Sequence, residues 1–265
     1  DMKYKGYLLW HPEFETDDTQ EDTNYWVFSV DVAEGNGGDN SVINIFKVEP
    51  METNDLKLVK SPGTFHDFYR LRQVAIFRSN EHTVEEFSKV LYVLAFDIFY
   101  AENVKIVLEW NTFGGELIKR LQTVFPNRNE FDEETIVKFK HRNDAKVYKY
   151  GLKIKSDNKS MFCQNFKKYV AYNKVIFDFK ENIMEALSFG LDHNGKYKAQ
   201  RGRDDMMMTC INVSEFFMTL DFSDYVEELH DAANDNFINS VDKVLDQYIK
   251  KTGDGNLHFD IYDLL

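Results

Sequence analysis

Two hydrophobic periods alternate along the chain. Tyr25 to Val32 (YWVFSVDV) is an almost unbroken run of β-branched and aromatic residues, which predicts a buried strand. Ala33 to Asn40 (AEGNGGDN) is a turn by composition, with Gly35, Gly37 and Gly38 able to take positive φ at little cost. Ser41 to Val48 alternates as the returning strand, so the first clear element is a hairpin. Leu56 to Lys60 and Gln73 to Arg78 are expected to extend this antiparallel sheet, with Pro62-Gly63 turning between them. From Thr83 to Tyr100 the apolar spacing becomes helical, opened by a Thr cap with Glu86 three residues on. Val104 to Leu108 reads as a short buried strand ending in Glu109, and Asn111 to Gly115 then turns into a helix from Glu116 to Val124.

Strands and helices keep alternating in the second half. Lys146 to Ile154 predicts a strand, Lys159 to Ala171 a helix, Lys174 to Phe177 a short strand and Lys180 to Phe189 another helix, interrupted by Gly190 and Asn194-Gly195. The loop Arg201 to Arg203 leads into an apolar helix from Asp204 to Leu220, opened by two aspartates. Residues 1–24, with Trp10, Pro12 and an acidic run from Glu13 to Asp22, show no periodicity and read as a linker or extension. The expected organisation is one α/β domain over 25–220, a mixed sheet flanked by helices, followed by an acidic helical tail over 221–265 that includes a helix from Asn236 to Lys250.

Composition narrows the class. With 265 residues, 43% of them hydrophobic, the chain can bury one substantial core. It has neither an apolar run long enough to span a membrane nor a signal-peptide pattern, so a soluble intracellular protein is expected. Cys163 and Cys210 lack CxxC partners, which argues against a disulfide framework or zinc knuckle and for small hydrophobes within helices. The formal net charge of -13 opposes nucleic-acid binding on average, but the charge is segregated. Lys138 to Lys174 holds eleven basic residues against two acids, interleaved with Tyr148, Tyr150, Phe162, Phe166 and Tyr169. Asp221 to Leu265 holds eleven acids against three lysines. This distribution points to one anionic partner and one different partner, although a Lys-rich run also suits a solvated face and these aromatics also have core spacing.

The candidate chemistry is acidic. Asp31 ends the first strand, Glu109 ends a second, and Asp204-Asp205 opens a helix. If the two strands are neighbours, their terminal carboxylates share one edge, and repulsion between them is relieved by divalent metal. Two such ions can activate a water and stabilise the leaving oxygen of a phosphodiester. Asp204 is expected to cap the helix while Asp205 faces the metal, with Asp39 as an outer ligand. Singly, each acid also suits a solvated strand end or a cap. Met206 to Met208 reads as helix packing, and the histidines show no HExxH spacing, leaving zinc hydrolysis without support.

Taken together, four segments resemble the nuclease domain of the large terminase subunit of tailed bacteriophages, part of the DNA-packaging motor. They are FSVDVAEGNGGDNSVINIF (Phe28 to Phe46), VKIVLEWNTFGGELIKRL (Val104 to Leu121), GLKIKSDNKSMFCQNFKKYV (Gly151 to Val170) and GRDDMMMTC (Gly202 to Cys210), in family order. The resemblance implies a ribonuclease H-like fold and an endonuclease that cuts concatemeric double-stranded DNA. It implies Asp31, Glu109 and Asp205 as catalytic ligands of Mg2+ or Mn2+, two ions in all, with Asp204 as a further ligand and Asp39 behind them. On the same footing Lys146, Lys149, Lys153, Lys155 and Lys159 would meet DNA. The implied partners are the terminase ATPase domain, the portal protein and the small terminase subunit, in the host cytoplasm and away from membrane. No GxxxxGK[ST] loop occurs, so no nucleotide is expected in this chain, which would be an isolated nuclease domain or the product of a split gene. The rival readings are an actin-like or sugar-kinase ATPase, a junction-resolvase-type nuclease, and a non-catalytic DNA clamp whose acids only cap and solvate.

Overall fold

Alternate residues of strand β2 (Tyr25–Asp31) divide between two buried faces, and that division organises the protein. The computed structural model describes residues 6–14, 19, 23–56, 58, 65–99, 101–124, 135–141, 144–155 and 158–233. The chain divides into two compact units, Asp1–Tyr225 and Val226–Leu265. In the second, residues 226–233 are helical, and the tail helix expected from Asn236 to Lys250 lies outside the described residues.

The main sheet of the first unit contains β1 (Tyr7–Trp10), β2, β3 (Ser41–Pro50), β4 (Tyr69–Ser79) and β5 (Val104–Leu108) in the order β1-β4-β3-β2-β5. The β4, β3 and β2 strands run antiparallel, whereas β5 lies parallel to β2 with Val30 opposite Leu108. Beyond β5, Ile136 and Leu152 make parallel bridges to Ile106 and Glu109. Three antiparallel strands followed by a parallel one, with helices on both faces, is the ribonuclease H-like arrangement. A hairpin of β6 (Lys138–His141) and β7 (Asp144–Tyr150) follows, and β8 (Val175–Ile176) runs parallel to β4.

One face carries Trp26, Phe28, Val30, Ile43, Ile45, Ile106 and Leu108, packed beneath α2 (Val84–Tyr92) and α3 (Thr112–Val124). Thr83 and Glu86 form the expected reciprocal capping box at the start of α2. The helix does not run on regularly to residue 100. A π-helical segment, Val93–Ile98, replaces its last turns, and the Phe99 amide donates to the Leu94 carbonyl at 3.0 Å. Phe99 is thereby seated against Trp10, Trp26 and Phe28, at ring separations of 6.0, 4.9 and 5.1 Å.

The opposite face carries Val27, Ser29, Asp31, Val42 and Asn44, and receives α4 (Lys159–Ala171), α5 (Lys180–Ser188) and α6 (Asp205–Val213). Cys163 and Cys210 are buried free thiols in α4 and α6.

Several boundaries differ from expectation. Tyr7–Trp10, read as part of a linker, is an edge strand on β4, because Trp10 has the aromatic cluster to pack on. No strand spans residues 56–60 as far as they are described. Thr53–Leu56 is the short helix α1, and residues 57, 59 and 60 lie outside the described set. The α3 helix starts at Thr112, four residues early, because Asn111 caps it by accepting from the Gly114 amide at 2.8 Å. The interruption after α5 is a small hairpin, β9 (Phe189–Leu191) with β10 (Tyr197–Ala199). Finally, the apolar helix gives way after Val213 to a 3-10 segment, Ser214–Met218.

Candidate active site

The period of two along β2 puts Asp31 on the α6 face, and the same alternation along β5 puts Glu109 there. The Glu109 amide donates to the Val30 carbonyl at 3.0 Å, so the two acids stand side by side at the ends of parallel neighbouring strands. Behind them, Asn111 Nδ2 donates to Asp31 Oδ1 at 3.4 Å. This tight turn requires Gly114, since a Cβ there would run into the Glu109 carbonyl oxygen.

Asp205 arrives on α6, which a buried polar layer holds in register. Ser29 Oγ donates to the Thr209 carbonyl at 2.7 Å, and Asn44 Nδ2 donates to Thr209 Oγ1 at 2.6 Å and to the Met206 carbonyl at 3.2 Å. From α5, Asn182 Nδ2 donates to the same Met206 carbonyl at 3.4 Å. These bonds are directional and desolvated, so a one-residue slip of α6 would leave several polar groups unsatisfied. Asp205, 9% exposed, accepts at Oδ2 from both the amide and the Nδ2 of Asn40, at 2.7 and 2.8 Å.

Asp204 does not cap α6 with its side chain as expected. Glu185 of α5 occupies that role, its Oε2 accepting from the Met207 amide at 3.0 Å. The Asp204 carboxylate instead lies 3.4 Å from the ammonium of Lys159, the first residue of α4.

The electrostatics tie the acids together. Burial first, then the charges of Glu109 and Asp205, push the Asp31 carboxyl well above the usual range. Burial also raises Glu109, with Asn212 and Lys159 pulling it back. Asp205 is raised by burial and by the charges of Asp39 and Asp204, against the two bonds from Asn40. Carboxyls raised in this way bind their protons more tightly folded than unfolded. Their stabilising contribution is full below the unfolded-state range near about 4 and is lost as pH rises through the folded values. In metal-free buffer Asp31→Asn should therefore melt above wild type by a margin that widens from pH 5 to pH 8. Scanning calorimetry checks this, and a margin independent of pH would contradict it.

The structure brings Asp31, Glu109, Asp204 and Asp205 into one mutually repelling group, with Asp39 exposed near Asp205. Among the lysines expected to meet DNA, Lys159 is turned to the acids, while Lys149, Lys153 and Lys155 are exposed. Lys146 lies on β7, with its side chain outside the described residues. Sequence reading missed Asn40, Asn111 and Asn212. Asn111 was signalled by the glycines that follow it, but Asn40 and Asn212 act on acids 165 and 103 residues away. The donor set is all oxygen and carries four acids against the single ammonium of Lys159, the chemistry that suits a hard divalent cation. Among the described residues, however, no three His, Cys, Asp or Glu side chains are grouped so that they could hold an ion as they stand.

No family model and no curated protein matches the chain in sequence. Its neighbours among solved structures include large terminase nucleases of thermophilic phages. The phage G20c nuclease with bound magnesium is 15% identical at a TM-score of 0.48, over 74% of this chain and 84% of that one. Its form with bound cobalt is 14% identical at 0.46, over the same shares. The nuclease domain of Thermus phage P74-26 is 13% identical at 0.44, over 73% of this chain and 80% of that one.

Proposed function

We propose that this chain is a divalent-metal-dependent endonuclease that cuts concatemeric double-stranded DNA during phage genome packaging. The observation carrying this reading is the union of Asp31, Glu109, Asp204 and Asp205, acids from three separate segments, at the shared end of two parallel strands. Partly buried repelling carboxylates cost stability unless a cation compensates them, and this is a reason to assign them a ligand role. Asp31, Glu109 and Asp205 are the proposed metal ligands, Asp204 a further one, and Asp39 an outer contact.

Two Mg2+ or Mn2+ ions bound there would supply activation of the attacking water and charge stabilisation at the leaving oxygen. The protein's own groups do the positioning. Asn40 fixes the Asp205 carboxylate, Asn111 steadies Asp31, and Asn212 donates to Glu109 at 3.4 Å. Lys159 offsets negative charge at Asp204 and Glu109. Exposed Lys149, Lys153 and Lys155 supply part of the charge that meets phosphates. On the family resemblance, the partners are the terminase ATPase domain, the portal protein and the small subunit, in the host cytoplasm. No described helix is long and apolar enough to cross a membrane.

Supercoiled plasmid incubated with the chain should be nicked and linearised in Mg2+ or Mn2+ and left intact in EDTA. No metal-dependent cutting, together with no Mn2+ uptake by calorimetry, would overturn the nuclease reading. A fluorescence shift with labelled ATP under those circumstances would favour the ATPase alternative.

A further inference from the structure

A groove of about 620 Å³ lies between α5, the loop over residues 200–204 and the end of β4. Arg78, Lys180, Arg201 and Arg203 line it, against Glu181 and Glu185. Glu185 is committed to the Met207 amide, and burial pushes its carboxyl up to about 7, with Arg78 pulling it back.

Two of the arginines are held in place by neutral groups. Arg203 donates from Nη1 to Asn40 Oδ1 at 3.0 Å and from Nη2 to the Gly37 carbonyl at 3.3 Å. Arg78 sits over the Tyr7 ring at 5.4 Å and beside the Met206 sulfur. Among the described residues, none of the four cations is in an ion pair with a carboxylate. Guanidinium groups that are oriented and outside close ion pairs are suited to phosphate oxygens.

The groove adjoins the acid cluster at one point, where Asn40 accepts from Arg203 at its side-chain oxygen and donates to Asp205 from its two N–H groups. An anion that touches all four cations must be extended and repeatedly charged, and at Arg203 it would lie one residue from the acids. We infer that this groove binds the phosphodiester backbone of the DNA flanking the cleavage position. The inference rests on the nuclease reading and adds to it a phosphate track separate from the Lys138–Lys174 segment.

The test uses Lys180→Ala/Arg201→Ala in the full chain, since both side chains are exposed and unpaired and their loss should leave the fold intact. Binding of a labelled duplex is followed by fluorescence anisotropy in metal-free buffer across a salt series, and plasmid nicking is measured on the same preparations. The variant should bind several-fold more weakly, with a slope of log affinity against log salt shallower by about 1.8, or 0.9 for each lost contact. Unchanged affinity and slope in a variant of wild-type melting temperature would overturn the groove while leaving the nuclease reading intact. Wild-type protein that neither binds duplex nor nicks plasmid would overturn both.

Discussion

Asp31→Asn is expected to lower metal-dependent DNA cleavage by about 10³-fold or more while leaving the protein folded. A ligand of the ions in a hydrolytic site contributes several kcal/mol of transition-state stabilisation, and each 1.4 kcal/mol is roughly tenfold in rate. The substitution keeps the shape of the side chain, and the Asn111 contact at 3.4 Å can survive with an amide oxygen as acceptor. It removes a carboxylate on which the charges of Glu109 and Asp205 both act. The metal-free variant should accordingly be more stable by about 1 kcal/mol, a rise of roughly 2 to 4 °C in melting temperature. Loss of activity with a gain in stability separates a ligand from a structural acid, whose removal would lower both. Cleavage within tenfold of wild type, with Mn2+ uptake unchanged by calorimetry, would remove Asp31 from the site.

Phe99→Ala is expected to cost about 3–5 kcal/mol, the largest single loss of stability anticipated from the core. Phe99 is 1% exposed and touches Trp10, Trp26 and Phe28, joining the edge strand β1, strand β2 and the π-helical segment. Rings that meet edge to face leave a void their neighbours cannot close by small shifts, so the cavity cost adds to the lost transfer energy. Urea unfolding followed by fluorescence reads the change directly. The same substitution would loosen the packing of Tyr7–Trp10, making that strand an early point of proteolysis. A loss below 1 kcal/mol would mean that the aromatic cluster repacks and that Phe99 is not its keystone.

How far the sequence could be read depended on the range of the interactions involved. The Tyr25–Asp31 and Val104–Leu108 strands were legible because continuous apolar runs have few alternatives. The α2 start was legible because its capping box is local. Tyr7–Trp10 was not, because four residues beside an acidic run carry too little periodicity, and only their pairing with Ile76 and its neighbours makes them a strand. The β9-β10 hairpin has three residues in each strand, and only its Asn194-Gly195 turn was visible. Asp204 looked like a cap by position, yet the Met207 amide takes its acceptor from Glu185, which lies on a different helix.

By itself, the sequence determined which face each acid would occupy once strands formed, since side-chain alternation is a property of the extended backbone. It also determined the separation of basic and acidic charge along the chain and the oxygen-only character of the candidate site. Tertiary structure decided that β2 and β5 are neighbours, that α6 docks through Ser29, Asn44 and Asn182, and that Asn40 holds both Asp205 and Arg203. It also turned Lys159 inward to the acids, a lysine that composition alone would assign to the DNA surface. The physical reason is that hydrogen bonds and charge pairs act over a few ångströms in space. Residues more than a hundred positions apart acquire those distances only when the chain has packed.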